Sequence, residues 1–280
     1  MPMSPRLLRP RASGVHPEAA SWRTRVVANG GSVSATTMQA VDRFCRDIDA
    51  NGLRSLLWRV NPMAGDNLSA ALVPLYRANS SSGAVQGNAT DTNDNFVSGD
   101  YDPASGLLGN GSTKRLNTGL PQNFADGRHL GMVPHTLGST AFRYYMGAKA
   151  AGSNNALFAI FASSPTTQIS AYTYSDAAAI GLAGSVTAVA RRLHLISNVA
   201  GAGNSRMYAD GVRGGTDGLG HNTTNTGAIG IFAARNDDGT GALFSNARIA
   251  GYTIGRDMTA AQVTTYNAIW TTLLTALGRA

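Results

Sequence analysis

From about Leu107 onward the chain is a succession of short β patterns broken by turn residues, and this rhythm restricts the fold more than any other feature. The runs lie near residues 115–118, 129–133, 142–147, 156–162, 168–173, 186–190, 193–199, 205–212, 228–234 and 247–254. Short strands at this spacing suit a mainly β fold, a two-sheet antiparallel jelly-roll sandwich. One run contains a turn of defined type. In Arg206-Met-Tyr-Ala-Asp-Gly-Val-Arg213 the pair Asp210-Gly211 predicts a type I′ hairpin, because both central residues need φ > 0. In another run Leu157, Ala159 and Phe161 alternate with Phe158 and Ile160. Both of its faces are apolar, as suits a strand buried on two sides or at an interface.

Two helices flank this β region. Ser34 caps a helix that stops at Asn51-Gly52. Met38, Val41, Phe44, Cys45 and Ile48 fall on one stripe of it, and Asp42, Arg43, Arg46, Asp47 and Asp49 lie largely off that stripe. The apolar run 53–60 continues as a short helix or a strand, with Trp58 in the core. At the other end Thr259 and Gln262 form a capping box, each side chain satisfying the other's free backbone N–H. Val263, Tyr266, Ile269, Trp270, Leu273, Leu274 and Leu277 give that helix its stripe, and Gly278 supplies a left-handed cap.

Several segments resemble a known family. Met207-Tyr-Ala-Asp-Gly-Val212 is similar to the Tyr-x-Asp-Gly hairpin of laminin-G-like (concanavalin A-like) jelly rolls. Phe244 to Gly255, followed by Met258-Thr-Ala-Ala-Gln262, resembles their last strand and terminal helix, and Leu108 to Gly119 their opening strand. Arg25 to Ser34, with Asp91-Thr-Asn-Asp-Asn-Phe96 after it, resembles the leader that precedes such domains in bacteriophage and prophage structural proteins. The resemblance spans residues 25–280 and implies a division into an extended basic arm (1–28), a helix-containing leader with a long loop (29–104) and a sandwich with its terminal helix (105–280). It implies a virion structural protein on the particle surface, a capsid decoration or tail-associated subunit. Such a subunit would act by binding other virion proteins and further copies of itself, with contact to host glycans. The alternative is a carbohydrate-binding adhesin domain for host-surface recognition.

Composition agrees with a binding role. Charged residues make up 14% of the 280, and Gly alone numbers 33. Charge is depleted at interface cores, so such a surface suits packing against neighbours. The net charge is +7, with an uneven distribution. Arg6, Arg9, Arg11, Arg23 and Arg25 face Glu18 alone in the first 25 residues. These arginines are the candidate docking residues of an arm that is extended until a partner orders it. No aromatic interleaving or groove-reading motif accompanies them, so nucleic acid is not the expected partner. Deleting residues 2–24 is expected to leave the sandwich folded. The single cysteine, Cys45, rules out an intrachain disulfide and suits folding in a reducing cytoplasm. No apolar run approaches the 18 residues of a membrane span, and the first residues lack the apolar core of a signal peptide. A virion protein released by lysis needs neither.

No motif for catalysis emerges. Concanavalin-like hydrolases place two carboxylates about the scissile bond, often as Glu-x-Asp-x-x-Glu. Here Glu18 is the only glutamate, so no enzyme activity is expected. Asp237-Asp238 sits in a Gly-rich turn. His16, His129, His135, His194 and His221 show no metal-ligand spacing, and no cofactor motif is present. Asp91 and Asp94, in the run 88–95, offer oxygens to calcium but lack the spacing of an EF-hand loop; Asx turns account for them. Gly109-Asn-Gly-Ser-Thr-Lys114 is phosphate-loop-like with the wrong spacing, and reads as a turn. Glycan binding needs aromatic faces beside Asp, Asn or Arg. Tyr208, Asp210, Arg235, Asn236 and Asp237 supply those types on the sandwich rim and are the candidate glycan-binding residues.

Overall fold

Alternating residues of the short β runs pair into antiparallel ladders, and the apolar flanks of those ladders dictate the layers. The computed structural model describes residues 14–77, 87–121, 127–139, 142–149, 158–163, 168–174, 180–198, 205–218, 227–236 and 240–280. The elements are α1 (Pro17–Ala28), α2 (Ala35–Ala50), β1 (Leu57–Asn61), α3 (Leu68–Ala71), β2 (Thr92–Asp94), β3 (Tyr101–Asp102), β4 (Gly106–Leu108), β5 (Arg115–Pro121), β6 (Arg128–Thr136) and β7 (Arg143–Lys149). They continue with β8 (Phe158–Ser163), β9 (Gln168–Tyr174), β10 (Ile180–Thr187), β11 (His194–Asn198), β12 (Ser205–Ala209), β13 (Val212–Gly218), β14 (Ala228–Ile231), β15 (Ala234–Asn236), β16 (Gly241–Ala242), β17 (Arg248–Gly255) and α4 (Ala260–Ala276).

The expected two-sheet sandwich is what forms. The first sheet runs β13-β12-β11-β6-β17-β4-β3, with β1 also pairing with β17. The second runs β10-β9-β8-β7-β14-β5-β2, and β15 joins it in parallel beside β7, carrying β16. Leu130, Met132, Ile196, Met207 and Ile254 of the first sheet meet Leu116, Ile160, Ile169 and Ile231 of the second in the shared core. The opposite face of the first sheet is covered as well. Val133, Leu195, Tyr208 and Ala250 pack there against α1, α2 and α4. The first sheet is therefore a middle layer, and all five residues of β11 are buried. In the second sheet β5 alternates buried and half-buried positions along its length, as a strand with one wet face does.

The local signals at the chain ends hold. Ser34 Oγ accepts the N–H of Thr37 at 3.2 Å. Thr259 Oγ1 accepts from Gln262 N at 3.3 Å, and Thr259 N donates to Gln262 Oε1 at 2.8 Å. Gly278 has φ +71°. Asp210 and Gly211 have φ of +51° and +74°, the type I′ turn expected between β12 and β13. Trp270 approaches β17 closely because residue 251 is glycine; a Cβ there would come within 2.8 Å of the indole. The indole also meets the ring of Phe44 edge-on at 5.5 Å, which joins α4 to α2 over the sheet. Cys45 is buried under the same layer, which pushes its thiol up to about 12.

The expectation of an extended arm over residues 1–28 fails from residue 17 onward. Residues 17–28 form α1, with Pro17 in the first turn and His16 Nδ1 accepting the N–H of Glu18. Ala19, Trp22 and Val26 recur at helical spacing and are fully buried, and the Trp22 indole N–H donates to Val73 O at 3.0 Å. Three buried apolar residues, one of them an anchored tryptophan, suffice here, although the helix is only weakly amphipathic. The leader likewise contributes β1 to β3, so it is woven into both sheets. Deleting residues 2–24 therefore removes Trp22 from the core, and loss of such a side chain costs roughly 3–5 kcal/mol. The truncated chain is expected to melt well below the full chain; equal melting temperatures would contradict this.

Two buried histidines couple the fold to pH. His129 Nδ1 donates to Arg256 O, since a carbonyl can only accept, and Nε2 accepts from Thr253 Oγ1 at 2.9 Å. Tyr266 of α4 donates to the same Thr253 oxygen at 2.9 Å. His194 Nδ1 donates to Arg192 O at 3.1 Å, and its Nε2 accepts the N–H of Val189 at 3.2 Å. Burial pushes both imidazoles down to about 4. An unfolded histidine takes up its proton near pH 6.5. Between those values protons bind the unfolded chain preferentially, so stability present above pH 6.5 is lost as pH falls toward 4. The limit is on the order of 3 kcal/mol for each histidine. Urea unfolding at pH 7 and pH 4.5 should show this loss, and the variant His194→Asn should lose less; a flat profile would refute the assignment.

Candidate functional site

A buried polar cluster positions the edge of the second sheet. Arg59 and Asn61 stand on β1, Tyr252 stands opposite Asn61 on β17, and Asp91 immediately precedes β2. All four side chains are inaccessible. Arg59 Nη2 donates to Asp91 Oδ1 at 2.7 Å and Arg59 Nε to the Tyr252 hydroxyl at 3.0 Å. The Tyr252 hydroxyl donates to Asp91 Oδ1 at 2.7 Å, and Asn61 Nδ2 donates to Asp91 Oδ2 at 2.8 Å. Removing one partner would leave a buried charge uncompensated, at a cost of roughly 3–5 kcal/mol. The cluster clamps β1 and β17 of one sheet to the start of β2 in the other.

The strand so fixed forms one wall of an open polar cleft of about 510 Å³, within the range of small-molecule sites. Asn93, Asp94 and Asn95 line it from β2 and the turn that follows. Asp94 stands opposite Arg115 in the β2–β5 ladder, and Arg115 Nε donates to Asp94 Oδ2 at 2.6 Å. A second wall comes from Ser112 and Thr113, between β4 and β5. That turn is held by Asn110, whose Oδ1 accepts the N–H groups of Ser112, Thr113 and Lys114 at 2.9–3.0 Å. Asn95 Nδ2 donates to Thr113 O at 3.0 Å, joining the two walls. Asn95 takes φ +71°, a left-handed conformation that asparagine tolerates.

Thr240, Gly241 and the half-buried Phe244 close the third side. Residue 241 must be small: a Cβ there would lie 2.6 Å from Phe244 Cζ and 2.8 Å from Arg115 Nη1. The cleft thus presents carboxamides, hydroxyls, one internally paired carboxylate and guanidinium, and an aromatic wall.

The five sequence-predicted glycan residues do not converge. Tyr208 is buried beneath the helix layer, because on β12 it falls on the face turned toward α4, and no ligand can reach it. Asp210 is at the β12–β13 turn of the other sheet, where it accepts from Asn267 Nδ2 at 3.1 Å and lies 3.4 Å from Arg192. Arg235 and Asn236 lie on β15, and Arg235 is register partner to Gly241 of the cleft. Asp237 is outside the described residues. Of the docking arginines, Arg6, Arg9 and Arg11 are also outside them. Arg25 is held within the fold, donating to Ser21 Oγ at 2.9 Å and to Leu75 O at 2.8 Å. Arg23 is exposed on α1.

The cleft residues were visible in the sequence under other headings. Asp94 belongs to the run offered to calcium and Ser112-Thr113 to the phosphate-loop-like turn. Folding brings both into one site and gives Asp91 to the buried clamp. Among the described residues, no group of three or more His, Cys, Asp or Glu could hold a metal ion.

No family model matches the chain, and no curated protein matches it. Similarity to solved structures is one of fold at low identity. The Trypanosoma rangeli sialidase in complex with 2,3-difluorosialic acid is 15% identical over 82% of this chain and 38% of its own, with a TM-score of 0.50. The CBM40 module of Ruminococcus gnavus IT-sialidase, bound to α2,3-sialyllactose, is 10% identical over 51% of this chain and 83% of its own, with a TM-score of 0.40. NanB in complex with Optactamide is 14% identical over 57% of this chain, with a TM-score of 0.43. The chain spans 27% of the length of NanB and under two fifths of the trypanosomal enzyme.

Proposed function

We propose that this chain is a glycan-binding β-sandwich whose site is the cleft between β2, β5 and residues 240–244. The observation that carries the reading is the composition of that cleft: clustered amide and hydroxyl groups beside the wall of Phe244. Sugar hydroxyls both donate and accept, as carboxamides and hydroxyls do, while the C–H faces of a pyranose suit an aromatic wall. Binding without hydrolysis is the accompanying reading. Asp94 is the one carboxylate among the described lining residues and it is committed to Arg115, whereas glycoside hydrolysis ordinarily uses two.

The test is a broad glycan array followed by titration. Wild type is expected to bind, and Gly241→Ala, which forces Phe244 and Arg115 apart, is expected to lose about tenfold, equal to about 1.4 kcal/mol. No reducing ends should be released. Failure of the wild type to bind any glycan would overturn the proposal, and release of reducing ends would make the chain an enzyme.

A second reading, a virion subunit that docks on neighbouring proteins, is favoured by the outer surface of the helix layer. Val15 and Val27 are 56% and 60% exposed there, around an apolar groove shared with Ala20 and Met38. Under this reading Val27→Asp lowers association without altering the melting temperature. Sedimentation that is unchanged by the substitution would remove the support.

A further inference from the structure

Resting on the docking reading of the helix layer, we propose that the partner is a second copy of this chain, held across a two-fold axis through the groove between α1 and α2. Ala19, Trp22 and Val26 turn one stripe of α1 inward. The adjoining stripe, Ala20, Arg23, Thr24 and Val27, is exposed and lines a hollow of about 460 Å³ together with Val15 and Met38. A second hollow of about 290 Å³ shares Val15 and Met38 and extends to Gln39 and Asp42 of α2.

Val15, common to both hollows, is held in place by its neighbours. On one side of it Arg46 Nη2 donates to Gly14 O, and on the other His16 N donates to Asp42 Oδ1. The His16 ring is fixed as well, since Nδ1 accepts the N–H of Glu18 and Nε2 donates to Asp49 Oδ2 at 2.8 Å. The fold thus pins both flanks of a valine whose side chain is left 56% exposed. Val27, in the lining of the larger hollow, is 60% exposed. An apolar side chain held in water gains free energy only when a second surface covers it.

One surface therefore carries apolar knobs and hollows side by side. An isologous contact needs this, because residue i of one copy meets residue j of the other while j meets i. Ala20 and Thr24 are small enough to let a second α1 come close. The axis passes by Val15 and Met38, the pair shared by the two hollows, and each Val27 enters a hollow of the other copy. Charge fits the same apposition. Beside the groove Arg46 is paired with Asp42 at 2.8 Å and Arg43 with Asp47 at 3.5 Å, so a second copy meets little like-charge repulsion although the chain carries +7. Arg23, in the larger hollow, has no ion pair among the described residues. The two-fold sets it against the smaller hollow of the other copy, where Gln39 and Asp42 offer oxygens. A carboxylate accepts about four hydrogen bonds, and those of Asp42 are not all taken. Such polar contacts fix the register of an interface more than its strength.

The experiment is sedimentation of the full chain over a range of concentrations, joined to oxidative cross-linking. Wild type is expected to pass from monomer to dimer and no further, since a two-fold contact closes on itself. Val27→Asp and Arg23→Glu should each weaken the dimer about tenfold with the melting temperature unchanged, because both residues are exposed. Adding Gln39→Arg to Arg23→Glu should restore the dimer by exchanging the two sides of the polar contact. Val15→Cys should give a disulfide-linked dimer, because a disulfide needs Cα atoms within about 7 Å and only residues near the axis come that close to their own equivalents. Val97→Cys, exposed between β2 and β3, should not, and Cys45 is buried and does not compete. A chain that stays monomeric at every concentration would overturn the inference. If association falls with Val27→Asp but Val15→Cys forms no linked dimer and the charge exchange restores nothing, the two-fold falls alone and docking through the helix layer stands. If association is indifferent to Val27→Asp, the docking reading falls and takes this inference with it.

Discussion

The ion pair between Arg59 and Asp91 holds the two halves of the fold in register. A buried charge is tolerated only when its partners are in place, and here Tyr252 and Asn61 complete the shell around Asp91. The four residues are scattered along the chain. Arg59 and Asn61 sit in the leader, Asp91 at the end of its loop, and Tyr252 on the last strand. Their convergence anchors the leader to both sheets and gives β2, only three residues long, a fixed place at the sheet edge. Because β2 carries Asn93 and Asp94, the geometry of the cleft depends on a contact that no ligand touches.

The layer order explains why the cleft lies where it does. The first sheet is covered on one face by the second sheet and on the other by helices. Its surface is therefore spent on packing, and Tyr208 disappears into that packing. The second sheet has no helical cover among the described residues, and the polar edge of β2 and β5 stays accessible. The penultimate residue reinforces the arrangement from the far end. Arg279 is buried and donates to the carbonyls of Pro62, Met63, Pro103 and Ala250, so the end of α4 is tied to the leader and to β17.

Much of the fold was legible in particular residues. The alternation of β5, the Asp210-Gly211 turn, and the caps at Ser34, Thr259 and Gly278 are local devices, satisfied within a few residues of themselves. For that reason they read correctly. Residues 17–28 misled because Arg23 and Arg25 dominate the local charge, while the helix depends on Trp22 meeting Val73, 51 residues away. The site was less legible still. Asp91 and Asp94 look alike in the run 88–95, yet one is sealed between the sheets and the other lines a cleft. Only the packing of β1 and β17 against that loop distinguishes them.

The sequence by itself determined the class of fold, the hairpin, the helix ends and the lack of paired glutamates, since each depends on short-range stereochemistry or on composition. The tertiary structure alone decided which sheet the helices cover, which of two neighbouring aspartates is buried, and that the loops around Asp94, Thr113 and Gly241 meet. These outcomes follow from contacts between segments far apart in the chain. Their energies depend on which face of each strand is turned inward, a choice made by the whole set of layers packing together.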